Sequence, residues 1–394
     1  MEFKTAGRMD SLPFSGIRAV MEKANAMQAA GENIVHLEIG RPDFDTPEKI
    51  KKAAEESLKA GHVFYTSNYG TPALRQAIAE WENEHNGAHY EAANVMVTIG
   101  VSEATWCAMD AYLEAGDEVL VPNPVWLNYI HVPTALGAKP VTYSLKEENN
   151  FQIDFEELES KITERTKMIV VVDPSNPTGG VFSRETMERL AQICVKHNLI
   201  AISDEIYEQL LYDGEKHTSL ATLPGMAERT IKLGGFSKAY SMTGWRIGYL
   251  CAPKEIISAV VRVHQYTVTC ASSFVQDASV TALKECDEDV EIMRQEYQKR
   301  KDYLVKELNS IEGISTNHPT GAFYIFVNIK SLGKTSMEMA EYLLEHAKIA
   351  LVPGSAFGSE GEGYLRISYA TSMEQLVEAC KRIRKAVEDL RAGK

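Results

Sequence analysis

Three strand-like runs in this chain end in residues that can do chemistry. Lys167–Asp173 runs into Pro174-Ser175-Asn176-Pro177-Thr178-Gly179, Leu199–Ser203 ends at Asp204 with Tyr207 three residues on, and Thr230–Gly234 is followed by Ser237-Lys238. Ligands of open parallel sheets bind beyond the carboxyl ends of the strands. The spacing therefore gathers an amine, a carboxylate, an amide and a phenol on one rim. A lysine with its ordinary pKa near ~10.4 is protonated at neutral pH and a poor nucleophile. Desolvation and nearby cations are what make such an amine reactive. Each residue also has a plain explanation when taken singly. Lys238 is then a surface lysine, Asp204 a capping aspartate, Asn176 part of a turn and Tyr207 a core tyrosine with a satisfied hydroxyl.

The elements that must hold this rim are legible as short apolar runs separated by amphipathic stretches. Val95–Ile99, Glu118–Pro122, Lys167–Asp173, Leu199–Asp204, Thr230–Gly234 and Ile247–Cys251 read as strands, with Glu103–Glu114 and Arg184–His197 as helices between them. Runs apolar throughout imply a parallel sheet covered on both faces. The predicted class is α/β, with a large domain over residues 47–286. Beyond it, a charged helix Asp287–Asn309, a strand-like Ala322–Asn328, a helix Ser336–His346, a strand Tyr364–Ser368 and a closing helix Met373–Arg391 suggest a smaller α+β domain over 287–394. Residues 1–46 are expected to pack with that smaller domain and leave a cleft.

Composition narrows the partners. Among 394 residues, 44% are hydrophobic and 24% charged, an ordinary globular balance, and the formal net charge is -14. Phosphate-backbone binding needs a basic face, so no nucleic-acid partner is expected. No apolar run approaches a membrane span, and Met1–Phe14 lacks the apolar core of a signal peptide. The six cysteines are scattered without a C-x-x-C pair, which reads as reduced thiols in a cytoplasmic protein, and no metal site is expected.

Ser237-Lys238-Ala239-Tyr240-Ser241-Met242-Thr243-Gly244-Trp245-Arg246-Ile247-Gly248-Tyr249, preceded by Asp204-Glu205-Ile206-Tyr207 and by Ser175-Asn176-Pro177-Thr178-Gly179, closely resembles the class I/II aminotransferases. These are the aspartate- and aromatic-aminotransferase-like branch of fold-type-I pyridoxal-phosphate enzymes, and the resemblance spans essentially the whole chain. It implies that Lys238 holds pyridoxal 5'-phosphate as a Schiff base and later moves a proton at the substrate α-carbon. Asp204 would keep the ring nitrogen protonated so that the ring accepts electrons. Asn176 and Tyr207 would hydrogen-bond the phenolic oxygen, and Trp126 would stack on the ring.

The same resemblance makes Gly100-Val101-Ser102-Glu103-Ala104 a phosphate cradle. Ser102, Glu103 and Ala104 would offer mainly backbone amides at a helix start, with Ser237 and a bidentate Arg246 beside them. A carboxylate next to phosphate is unfavourable, so the Glu103 side chain is expected to point away. Tyr65 would reach the phosphate of a neighbouring subunit, which implies a homodimer with shared sites. Arg366 would grip the substrate carboxylate, the Gly40 backbone would approach the substrate, and Ser15-Gly16-Ile17-Arg18 would form a lid with Ile17 over the site.

Transamination follows: an L-amino acid gives its amino group to the enzyme, and a 2-oxo acid, 2-oxoglutarate by resemblance, then takes it in a ping-pong cycle. A pyridoxal-phosphate C–S or β-lyase on the same fold is the competing reading. A cofactor-sensing regulator would need a basic helix-turn-helix, and none precedes residue 40. A nucleotide oxidoreductase would need G-x-G-x-x-G after the first strand, and none is present. Substrate choice is less legible. Arg18, Arg41, Arg262 and Lys139 are candidates for a side-chain carboxylate, while Ile17, Tyr129, Tyr266 and Phe357 are candidates for an apolar pocket. Tyr129 and Phe357 are expected to serve packing. Aspartate, aromatic and aliphatic donors all remain open.

Overall fold

A computed structural model of the chain describes residues 3–14 and 16–393, with the backbone alone at position 17. Ser15 and the Ile17 side chain, both part of the expected lid, lie outside the described residues. In chain order the strands are β1 (Val35–His36), β2 (Val95–Thr98), β3 (Glu118–Asn123), β4 (Lys139–Ser144), β5 (Thr166–Val172), β6 (Ile200–Asp204) and β7 (Thr230–Gly235). They continue with β8 (Gly248–Cys251), β9 (Ser315–Thr316), β10 (Tyr324–Asn328), β11 (Ile349–Ala350), β12 (Val352–Pro353) and β13 (Tyr364–Ser368).

Seven of these make one sheet in the order β2-β8-β7-β6-β5-β3-β4. Successive side chains of a strand point to opposite faces, and both faces are buried here. Met168, Val170 and Val172 pack with Ala104, Cys107 and Val260. Ile169 and Val171 pack on the other side with Met187, Leu190 and Cys194. That is why the runs read as apolar throughout. Two details differ from the sequence expectation. β8 is antiparallel to both β2 and β7, because a four-residue apolar run carries no sign of its direction. β4 was not anticipated: its pattern Lys-Pro-Val-Thr-Tyr-Ser is that of an edge strand, where Pro140 is tolerated.

The C-terminal part forms a four-stranded antiparallel sheet in the order β12-β13-β10-β9. β1 pairs in parallel with β11, and Ser368 N–H donates to Leu37 O at 2.8 Å, so the segment around residue 36 is attached to this part. Helix starts follow local chemistry. Ser183 and Ser372 accept from the N–H groups of Thr186 and Gln375, and Thr335 with Glu338 forms a capping box. The expected helix Ser336–His346 is α-helical only over Ser336–Tyr342; Leu343–Ala347 continues as a π turn that ends at Lys348 with φ 58°. The expected strand Ala322–Asn328 begins at Tyr324, since Ala322 has φ 57°. No helix among the described residues is long and apolar enough to cross a membrane.

Candidate active site

The strand ends converge on a cavity of about 350 Å³. Lys238 enters it from the turn after β7, where Nζ donates to the Gly40 carbonyl at 2.6 Å. Burial, reinforced by the Arg366 charge and opposed by Asp204, lowers its pKa to about 8. Asp204 is the last residue of β6. Its carboxylate accepts from Tyr129 OH at 2.6 Å and from Ile206 N–H at 3.2 Å. Burial outweighs those two bonds and raises its pKa to about 6. Asp204 forms no ion pair among the described residues, so a buried carboxylate faces the cavity ready for a cationic partner.

Arg366 lies mid-strand in β13, 1% exposed, above the rings of Tyr324 and Phe357 at 4.5 and 5.0 Å. It donates to Asn176 Oδ1 at 3.2 Å and to the Glu38 carbonyl at 2.7 Å, and its Nε has no partner among the described residues. An arginine this buried, with an unused donor on a cavity wall, fits an incoming carboxylate. Tyr207 OH and Tyr324 OH are hydrogen-bonded at 2.8 Å. Gly40 is required for a reason the sequence did not disclose: a Cβ there would lie 2.6 Å from Tyr324 OH.

At the other end, Gly100 turns with φ 79° into the helix Val101–Tyr112. The Glu103 and Ala104 N–H groups, expected to face the phosphate, instead donate to the Gly100 carbonyl at 3.2 and 3.3 Å, which leaves the leading N–H groups of Val101 and Ser102 as the helix-start donors. Val101 and Ser102 line the cavity there. Arg246 adopts φ 53° and spreads its guanidinium against Gly100, where a Cβ would meet Nη2 at 2.8 Å. A helix N-terminus beside an arginine suits a phosphate.

The cavity thus brings together Gly40, Ser102, Trp126, Asn176, Asp204 and Tyr207 with Ser237, Lys238, Arg246 and Arg366. It does not include Glu103 or Ala104. The Glu103 side chain points away as expected, onto His264 and Cys107. Tyr65 is 88% exposed and off the cavity wall. Of the four candidate cations for a side-chain carboxylate, Arg41 alone lines the cavity. Arg18 is exposed beside Glu22, Lys139 is paired with Glu118, and Arg262 is exposed on the helix Lys254–Thr267. Tyr266 is 89% exposed and off the wall. Tyr129 corrects the expectation of a packing role, since it is the hydrogen-bond partner of Asp204. Tyr324 and Glu38 were missed as well. Tyr324 reaches the cavity from β10 and Glu38 lines it from the loop after β1, where its carbonyl accepts from Arg366, and nothing local marks either.

Behind Asp204 lies a buried ionic network. Lys232 Nζ reaches Glu82, Glu208 at 2.7 Å and Glu205 at 3.4 Å. His217 bridges Glu205 at 2.7 Å and Asp173 at 3.3 Å. Burial works against its charge, yet Glu205 and Asp173 raise His217 from 6.5 to about 10. A raised histidine stabilises the fold fully below its unfolded pKa, and that contribution fades as pH rises through the folded value. The urea midpoint is therefore expected to fall between pH 6.5 and about 10, and His217→Gln should flatten this slope. A slope unchanged by the substitution would sink the assignment.

The sequence of residues 32–383 matches the family model described as aminotransferase class I and II. The chain is 43% identical over 385 residues to an aspartate aminotransferase of Pyrococcus abyssi, covering 97% of this chain and 98% of the relative. It is 41% identical to an aromatic-amino-acid aminotransferase of Thermococcus litoralis over the same shares of both chains. Among solved structures, an aspartate aminotransferase from Thermus thermophilus with maleate superposes with a TM-score of 0.93 at 37% identity, covering 98% of this chain and 100% of that one.

Proposed function

The chain belongs to the class I and II aminotransferases and is an aminotransferase, and from that premise we propose that Lys238 carries pyridoxal phosphate and that the substrates include dicarboxylic amino and 2-oxo acids. The family uses this cofactor. The observation that carries the reading is the buried, easily deprotonated Lys238 amine facing the Asp204 carboxylate across one cavity.

The residues present fit the group. Arg246, Ser237 and the helix start at Val101 would hold its phosphate, Trp126 its ring face, Asn176 and Tyr207 its phenolic oxygen, and Asp204 its ring nitrogen. Bound there, pyridoxal phosphate supplies an aldehyde for amines and a ring that takes up the charge left by a departing α-proton. The chain does the rest. Arg366 binds the α-carboxylate through its unused Nε, and the Asn176 contact holds that guanidinium in register. Tyr129 fixes the Asp204 carboxylate so that it stays ionised opposite a cation. Lys238 Nζ would move the proton between the substrate α-carbon and the cofactor, and Nζ donates to the Gly40 carbonyl at 2.6 Å.

The amine must be neutral to react. Recombination of the cofactor-free protein with pyridoxal phosphate is expected to quicken about tenfold per pH unit up to a plateau near pH 8. Stopped-flow absorbance measures this, and a rate insensitive to pH over that range would overturn the role of Lys238.

Arg41 supports the dicarboxylic reading. It lines the cavity with no hydrogen bond or ion pair to the described residues, whereas Arg366 and Arg246 are already engaged. Maleate, the compound named with the Thermus thermophilus relative, is itself a dicarboxylate. Arg41→Gln is expected to lower kcat/KM for glutamate and aspartate by about 10- to 100-fold, the worth of one charged hydrogen bond, and to spare an apolar donor such as leucine. Equal losses on both donors would refute the assignment.

The remaining features extend the same reading. Val63, Phe64 and Tyr65 are exposed in succession at 58, 81 and 88%, an apolar stretch suited to a second copy of the chain. Tyr65 would cross to the partner's cofactor phosphate in such a homodimer. The described cysteines are all free thiols, which suits a reducing cytoplasm. The β1–β11 pairing supports assigning residues 1–46 to the smaller 287–394 domain, with 47–286 holding the cofactor.

A further inference from the structure

Glu103 presents a problem of charge. It sits at the start of the helix proposed to hold a phosphate, where a loose carboxylate would repel the ligand. The structure restrains it completely. Oε2 accepts from the Ile99 N–H at 3.1 Å, while Oε1 accepts from Cys107 Sγ at 2.8 Å and from His264 Nδ1 at 2.8 Å. His264 comes from a different helix, Lys254–Thr267, and both it and Cys107 are fully buried.

A carboxylate only accepts, so the imidazole donates from Nδ1, which leaves Nε2 for another contact. That atom is buried without a partner among the described residues, a penalty that an apolar side chain at position 264 would avoid. Burial pushes the Cys107 thiol well up, which keeps it a protonated donor. From Glu103 the contacts lead outward. The Ile99 carbonyl accepts from Arg246 Nη2 at 3.5 Å, and Gly100 lies directly against the same guanidinium.

We propose that His264, with Cys107, is a positioning residue: by clamping Glu103 it sets the Ile99–Ser102 turn and Arg246 in the arrangement that receives the cofactor phosphate. This rests on the reading that the turn is a phosphate cradle, and it assigns work to residues that never touch the ligand. A packing role alone would not select a donor aimed at a carboxylate.

The test compares pyridoxal phosphate with pyridoxal, which lacks the phosphate, on the full-length protein. His264→Leu is expected to raise the dissociation constant for pyridoxal phosphate about tenfold, the worth of one hydrogen bond to a charged group. The same variant should leave pyridoxal binding unchanged and shift the phosphorus-31 resonance of the bound phosphate. His264→Asn places an amide donor where Nδ1 stood and should restore most of the affinity. In a Glu103→Ala background, His264→Leu should add nothing further.

Should His264→Leu fail to fold, Cys107→Val carries the same comparison, with a loss of about threefold for its weaker donor. Equal losses for pyridoxal phosphate and pyridoxal, or an undiminished effect in the Glu103→Ala background, would overturn the proposal. A wild-type chain that binds neither compound would instead remove the cofactor reading beneath it.

Discussion

Lys238→Ala is expected to lower turnover by about ten-thousand-fold, the upper range for removing a general acid–base group. The substituted chain should also lose the visible absorbance that the wild type acquires with pyridoxal phosphate. Burial and Arg366 lower the amine to a pKa of about 8, so an appreciable fraction is neutral at working pH. No other lysine among the described residues lines the cavity. Lys238→Arg separates charge from basicity, because a guanidinium stays protonated above pH ~12 and cannot relay a proton. It should be as inactive as the alanine variant. Turnover within about tenfold of wild type in either variant, well short of the loss expected for a missing base, would exclude the assigned mechanism.

Lys232→Met carries the second large effect, on stability. Lys232 is fully buried among Glu82, Glu205 and Glu208. Burial opposes its charge, but Glu208 and Glu82 more than compensate and raise its pKa well above the ordinary value. The same neighbours divide the carboxylates. Against its burial, Lys232 and His217 hold Glu205 down to about 2, whereas burial leaves Glu208 up near 7.

Removing the ammonium leaves buried carboxylates facing one another, with an expected loss of about 3–5 kcal/mol. Urea unfolding should show a lower midpoint at unchanged slope. Adding Glu82→Gln to the methionine variant should recover part of the loss, since pairwise removal spares an orphaned charge. A change under about 1 kcal/mol, the size of an exposed pair, would mean that the network is not stabilising. Because Glu205 follows Asp204 directly, the network also braces the strand end that presents the Asp204 carboxylate.

Much of the site was legible because its members mark their own places locally. Asn176 and Asp204 each follow a largely apolar run, which announces a strand buried on both faces, and Lys238 follows a strand in which Lys232 is the one charged position. The C-terminal elements Asp287–Asn309, Tyr364–Ser368 and Met373–Arg391 came out with the expected ends, since amphipathic period and capping are local properties. Tyr129 was misjudged for the opposite reason. A tyrosine hydroxyl finds its partner wherever the fold delivers one, and Asp204 lies 75 positions away.

By itself, then, the order of residues determined the α/β class, the family and the chemically able side chains at the strand ends. Only the tertiary structure decided which of the four candidate cations faces the cavity, how Glu103 is restrained, and that Glu82, Asp173, Glu205, Glu208, His217 and Lys232 share one buried network. The physical reason is the strand order β2-β8-β7-β6-β5-β3-β4. It brings together segments far apart in the chain, and the pairing of strands is chosen by collective burial, which no local pattern encodes.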